Sequence, residues 1–239
     1  MPTIAAIVLA GGRVPTALAP YCAHRALLCV QGRLMLDYLL ESLTGVAAVA
    51  DIAVVAPDAA LPALAALPGR KIASGESIVD NMRRGAAAVA GCAPTHLLFI
   101  TGDIPLVTPA GVEDYLMKSV DSGAALTYPI IPREVSEARF PGAKRTYVKL
   151  HEGIFTGGNA IFATADLLQD KHALIQELYE ARKQPLKLAQ TLGWPTLLRF
   201  ITGNLDLPFI ESVGERILSA PVRAIITRYA EIGFDVDKP

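Results

Sequence analysis

The sequence predicts an α/β fold, a mostly parallel sheet flanked by helices, and three observations predict it. Short apolar runs of strand length, Ile4 to Leu9, Ile52 to Val55 and Leu97 to Ile100, are continuous rather than alternating, the pattern of strands buried on both faces. Between them apolar residues recur at helical spacing. Breaks bearing glycine or proline fall at the ends of the runs, where sheets of this kind gather their ligands.

In order along the chain, Ile4 to Leu9 is the first strand and stops at Ala10-Gly11-Gly12. Met35, Leu36, Leu39, Leu40 and Leu43 then lie on one helix face, and Ile52 to Val55 is a second strand ended by Pro57. Ile78, Met82, Ala86 and Val89 mark the next helix. It is followed by the strand Leu97 to Ile100, a helix from about Pro109 to Ser122, and a strand Ala124 to Pro129. Tyr147 to Leu150, a polar turn at His151-Glu152-Gly153, and Ile154-Phe155 read as a hairpin that pairs antiparallel at a sheet edge. The stretch from about Thr164 to Ser219 reads as mostly helical, interrupted at Pro185, Pro195, Gly203 and Pro208. We therefore expect a single domain over 1–239 with a helical insertion at 164–220. Val222 to Ile226 and Ile232 to Val236 are read as strands returning to the sheet.

Composition excludes several classes. The 239 residues are 52% hydrophobic with a mean hydropathy of +0.38, which raises the question of a membrane span. The longest apolar stretch, Val46 to Leu67, is broken by Asp51, Pro57, Asp58 and Pro62, short of the ~20 apolar residues a bilayer helix needs. Twenty-two basic residues against 23 acidic ones disfavour non-specific nucleic-acid binding but allow a local phosphate pocket. Three cysteines, Cys22, Cys29 and Cys92, are an odd and sparse set that reads as reduced, and Met1-Pro2-Thr3 lacks the basic start of a signal peptide. The expectation is a cytoplasmic protein with no membrane span and no nucleic-acid partner, with assembly into a homo-oligomer left open.

Candidate chemistry lies at strand ends. Gly11-Gly12 after a buried strand lets backbone N–H groups approach a phosphate, although such a pair also serves as a plain tight turn. The spacings of the dinucleotide-binding fingerprint and of the P-loop are both absent. Arg13 and Arg25 bracket the loop and can clamp a triphosphate, or stand as solvated surface charges. Asp103, in Thr101-Gly102-Asp103-Ile104-Pro105, suits Mg²⁺, which takes one or two carboxylates and completes its shell with phosphate oxygens; the alternative is a turn or capping aspartate. Asp235-Val236-Asp237 places two carboxylates on one face of a late strand, where one can meet Asp103. Thr156-Gly157-Gly158-Asn159 is either a glycine bulge or a close-approach loop whose Gly158 and Asn159 receive an acceptor. The four histidines have no zinc-site spacing, and no G-x-S-x-G elbow is present.

Taken in order, Val8-Leu9-Ala10-Gly11-Gly12-Arg13, the stretch Arg25 to Tyr38, Thr101 to Pro105, and Asp235 to Pro239 resemble the MobA-like NTP transferase family, nucleotidyltransferases with a glycosyltransferase-A-type fold. The resemblance covers roughly 3–163 and 222–239. It implies a Rossmann-like sheet of the nucleotide-diphospho-sugar transferase type. It also implies that Leu9, Ala10, Gly11, Gly12 and Arg13 hold the nucleotide, that Arg25 takes the place of the family's lysine, and that Asp103 and Asp237 hold Mg²⁺. Ser74, Gly75 and Asn81 fall where the family places base and ribose contacts.

The implied activity is transfer of a nucleoside monophosphate from an NTP to a phosphorylated acceptor, a sugar phosphate or a molybdopterin-like cofactor, with release of pyrophosphate. Arg13, Arg25 and Asp103 would be catalytic. Two departures stand out: Ala17 aligns with an arginine of the family loop, and Arg25 replaces a lysine, a planar guanidinium for a compact charge. They keep open a catalytically weakened nucleotide-binding or regulatory protein of the same fold. A glycosyltransferase using a nucleotide sugar is the third reading.

Overall fold

The structure, a computed structural model, describes residues 2–167 and 205–238. Its centre is β1 (Ile4–Leu9), and the side chains of this strand divide between two layers, as a continuous apolar run must. Ile4, Ala6 and Val8 pack on one face with α1 (Met35–Thr44) and α4 (Pro109–Asp121). Ala5 and Ile7 pack on the other with α3 (Ile78–Val89), through Met82 and Val89. Leu36, Leu39, Leu40 and Leu43 of α1 are fully buried, each stabilising the fold by about 1.5–3 kcal/mol relative to exposure.

β4 (Val49–Ala56) and β6 (His96–Thr101) flank β1, both parallel to it, and β5 (Arg70–Ala73) extends the parallel half beyond β4. Beyond β6 the sheet turns antiparallel. β10 (Ala160–Thr164) pairs with β6 and with β7 (Leu126–Pro132); β7 also pairs with β9 (Gly153–Gly157), and parallel with β11 (Val222–Ile226). β8 (Val148–Leu150) and β9 form the predicted edge hairpin. The sheet order is β5-β4-β1-β6-β10-β7-β9-β8, with β11 on β7. A separate ribbon of β2 (Cys29–Val30) and β3 (Arg33–Leu34) leads into α1.

Helix starts follow local chemistry. The Ser77 hydroxyl accepts from Asp80 N at 3.1 Å to open α3, and Thr108 accepts from Gly111 N at 3.1 Å to open α4, with Pro109 in its first turn. Two short helices, α2 (Leu61–Leu64) and α5 (Arg133–Arg139), add to the predicted set. Asp206 caps the next helix, α6 (Leu207–Leu218), by accepting from Phe209 N at 2.7 Å. Its Glu211 accepts from Ala224 N of β11 at 2.9 Å. α6 lies within the predicted insertion at 164–220, of which residues 168–204 are outside the described residues.

One predicted strand is corrected. Ile232 to Val236 is not a strand: Ala230–Gly233 is a 3-10 turn, followed by irregular backbone. Ile232 O accepts from Asn159 N at 2.9 Å and Val236 N donates to Asp103 O at 3.0 Å, isolated contacts rather than a ladder. β10 is a strand that the sequence reading lacks, because the two glycines before it read as a loop. Among the described residues no helix is long and apolar enough to cross a membrane.

Candidate active site

The loop after β1 is held by Ala10 N, which donates to Val55 O of β4 at 2.8 Å. Beside it, Ser74 N donates to Ala56 O at 2.8 Å, and Gly75 N donates to Asn81 Oδ1 of α3 at 2.6 Å. A Cβ on Gly11 would stand 3.1 Å from Ser74 Cβ and 3.3 Å from Asn81 Nδ2, so only glycine fits this approach without displacing its neighbours. Leu9, Ala10, Gly11, Ser74, Gly75 and Asn81 are thus brought together from three elements. A Cβ on Gly12 would meet nothing within 4 Å, and its backbone faces open space. Arg13 is exposed and forms no ion pair with a described residue.

The acidic loop lies alongside. Gly102 N donates to Leu9 O at 3.0 Å, joining the end of β6 to the end of β1. Thr101 Oγ1 donates to Asp103 Oδ1 at 2.5 Å and orients that carboxylate. The other oxygen, Asp103 Oδ2, is 2.9 Å from Arg25 Nη2, which is also 2.6 Å from Asp237 Oδ1 and donates to Val236 O at 2.8 Å. Arg25 and Asp103 have side chains only 15% exposed, whereas Asp237 is 56% exposed. Arg25 Nε is buried and has no hydrogen-bond partner.

A second arginine, which no periodicity or motif in the sequence singles out, completes the cluster. Arg145 Nη1 pairs with Asp235 Oδ1 at 2.6 Å, and Nη2 donates to Gly157 O at 3.3 Å. Phe140 stacks on Phe234 with ring centroids 4.0 Å apart, fastening the same segment to the C-terminal stretch. Asp235 and Asp237 lie near enough to affect one another, and their environments push them apart. Burial opposes the Asp235 carboxylate, but the hydrogen bond from Arg145 and the neighbouring Asp237 carboxyl outweigh it and hold the group below its ordinary range. Burial and then the Asp235 charge raise Asp237, against the pull of Arg25.

The structure therefore places Arg25 otherwise than as a free triphosphate clamp: one guanidinium nitrogen sits between the two carboxylates expected to hold metal. Oxygens converging on a single cation are the hard donors that suit Mg²⁺, so the pair fits such an ion where phosphate oxygens supply the other ligands. No group of three or more metal-ligating side chains gathers among the described residues.

Asn159 stands beside Thr101, whose N donates to Asn159 O at 3.0 Å. Its own N donates to Ile232 O, and its Nδ2 is buried with no hydrogen-bond partner. Gly158 is fixed by its N–H to Pro129 O at 2.8 Å and by the Tyr128 hydroxyl on its carbonyl at 2.8 Å. A Cβ there would lie 2.7 Å from Pro129 Cγ.

Comparison with known proteins gives the family and the fold. The model of the MobA-like NTP transferase domain matches residues 6–200. A hypothetical transferase from Thermus thermophilus superposes with a TM-score of 0.88 at 36% identity, over 100% of this chain and 98% of that one. The 2-C-methyl-D-erythritol 4-phosphate cytidylyltransferase of Thermus thermophilus shares the fold at a TM-score of 0.58 and 17% identity, over 100% and 94% of the chains. Rv0371c of Mycobacterium tuberculosis, in complex with manganese, does so at 0.51 and 14%, over 94% and 88%. No curated protein matches.

Proposed function

The chain belongs to the MobA-like NTP transferase family, and on that premise we propose that it transfers a nucleoside monophosphate from an NTP to a phosphorylated small-molecule acceptor, releasing pyrophosphate. The observation that carries the reading is the 3.0 Å bond from Gly102 N to Leu9 O, which sets the glycine loop and the Asp103 loop side by side. A triphosphate lying over Gly11 and Gly12 then has its reacting end beside the carboxylates. An acceptor phosphate oxygen, already ionised, attacks the α-phosphorus, and the bond to the bridging oxygen breaks with its electron pair leaving on pyrophosphate. No general base is required.

In this reading Gly11, Gly12 and Arg13 meet the phosphates, while Ser74, Gly75 and Asn81 meet the nucleoside. Asn159 Nδ2 and the backbone at Gly158 receive the acceptor. Asp103 and Asp237 would hold a divalent ion, Mg²⁺ by the hardness of the donors, which neutralises phosphate charge and orients the reactants. Arg25 and Arg13 stabilise the departing pyrophosphate, so catalysis rests on positioning and charge. To the segment 164–220, of which α6 packs on β11, this reading gives acceptor choice or dimer contacts. Three free thiols suit a reducing, cytoplasmic setting.

The test is pyrophosphate release from each NTP with Mg²⁺ and a panel of sugar phosphates and pterin acceptors. Release that depends on acceptor, and that falls at least about hundredfold in Asp103→Asn with the fold intact, supports the reading. Nucleotide binding without release shifts the assignment to a regulatory protein. Turnover only with a nucleotide sugar shifts it to glycosyl transfer.

A further inference from the structure

We propose that Arg25 is the resident cation of the carboxylate pair: its guanidinium holds the position between Asp103 and Asp237 until a metal-bearing triphosphate displaces it, so metal enters with the nucleotide and not before it. The inference rests on the transferase reading above. It gives Arg25 a role that precedes any contact with pyrophosphate.

Three features of the site carry it. A single nitrogen, Arg25 Nη2, makes all the contacts, at 2.9 Å to Asp103, 2.6 Å to Asp237 and 2.8 Å to Val236 O. It occupies the point at which the two carboxylates converge, where a divalent ion would need to sit. Thr101 donates to Asp103 Oδ1 while Arg25 holds Oδ2, so both oxygens of that carboxylate are engaged as long as the guanidinium is in place. Finally, Arg25 Nε is buried and orphaned. A guanidinium seated for good would be expected to satisfy that donor, because burying it unpaired costs free energy. Swinging toward a phosphate lets Nε find an acceptor.

Charge fixes the order of events. Asp103, Asp235 and Asp237 against Arg25 and Arg145 leave the cluster only singly negative when all three carboxylates are ionised, and a bare divalent ion must expel a tethered positive charge to enter. A metal–triphosphate complex supplies the ion together with the anion that the displaced guanidinium then pairs with. Lysine would hold the place less well, since a planar guanidinium can turn among several acceptors while remaining charged.

The experiment follows free Mn²⁺ by electron paramagnetic resonance as it is titrated, without nucleotide, into the wild type, Arg25→Gln, Arg13→Gln and the double variant Arg25→Gln/Asp103→Asn. Arg25→Gln is expected to bind Mn²⁺ at least tenfold more tightly than wild type, Arg13→Gln to stay within about twofold, and Asp103→Asn to remove the gain. Unchanged or weaker binding in Arg25→Gln overturns the inference. So does an equal gain in Arg13→Gln, which would mark a general loss of positive charge. The melting temperature gives a second readout should Arg25→Gln fold poorly. Mn²⁺ should raise it more in that variant than in wild type, and an equal or smaller rise counts against the resident-cation role. Pyrophosphate release by the wild type is scored separately, so a failed transferase reading is distinguishable from a failed exchange.

Discussion

Arg145 and Asp235 form a 2.6 Å ion pair that ties the segment after α5 to the C-terminal stretch, with both side chains mostly buried. Asp235 lies two residues before Asp237, so the pair anchors the stretch that carries the carboxylate bound by Arg25. Breaking a buried pair by removing one partner costs more than removing both, because the survivor keeps an uncompensated charge. Arg145→Gln should therefore destabilise the protein by about 1–3 kcal/mol, discounted from the fully buried case for residual solvent screening. Arg145→Gln/Asp235→Asn should recover part of that loss in urea unfolding. A double variant less stable than the single one would contradict this account.

Tyr115 is fully buried in the core. Its hydroxyl is 2.9 Å from Thr127 O and 3.0 Å from Thr127 Oγ1, and it accepts from Phe162 N at 3.1 Å, joining α4 to β7 and β10. Burial raises this phenol well above the ordinary value of about 10, outweighing the hydrogen bonds that favour ionisation. Since the folded value lies above the unfolded one, the stabilisation is fully present below about pH 10 and is lost as pH rises further, because only the unfolded chain sheds the proton. Tyr115→Phe should cost about 1–3 kcal/mol at pH 7 by leaving the Phe162 N–H unpaired, and should flatten the alkaline fall in stability. Denaturant titrations at pH 7 and above pH 10 measure both effects.

Much of this architecture is legible in the residues themselves, and the exceptions have physical causes. Ile4–Leu9 and Leu97–Ile100 show as continuous apolar runs because both faces are covered, and Leu36, Leu39, Leu40 and Leu43 show as a helix stripe because one face is. Ile232 carries the same signal yet sits in a 3-10 turn, since apolarity reports burial and not the presence of a neighbouring strand with which to pair. The glycine loop and Asp103 are legible because each follows directly on a strand. Arg145 is not, because its partner Asp235 is 90 positions away in the chain and Arg145 itself stands in no periodic segment. That Arg25 bridges two aspartates is likewise a tertiary fact. Its proximity to the loop in sequence suggests phosphate instead.

Gly11 tests the nucleotide side of the site. A Cβ there would press on Ser74 Cβ at 3.1 Å and on Asn81 Nδ2 at 3.3 Å, and the bulkier Val would have to move both. Gly11→Val should weaken NTP binding at least tenfold, equivalent to about 1.4 kcal/mol, with a far-ultraviolet spectrum like that of wild type. Calorimetric titration of the NTP that supports turnover provides the measurement. An unchanged Kd would mean that the nucleotide does not lie over this loop.

Asn159 tests the acceptor side, where its buried Nδ2 has no partner while its backbone is fully committed to Thr101 and Ile232. A donor so placed is worth most when it meets a charged oxygen, about 1.5–3 kcal/mol for a hydrogen bond to an ionised group. Asn159→Ala should therefore raise KM for the phosphorylated acceptor by roughly 10–100-fold while leaving KM for the NTP within about twofold. Asn159→Asp should be worse still, because it replaces the donor with a carboxylate that repels the acceptor. The split between the two KM values separates this role from a structural one: a residue that merely held β10 beside β6 would disturb both substrates together and lower the melting temperature as it did so. Equal changes in the two constants would place the acceptor elsewhere, with the segment 164–220 the next region to probe.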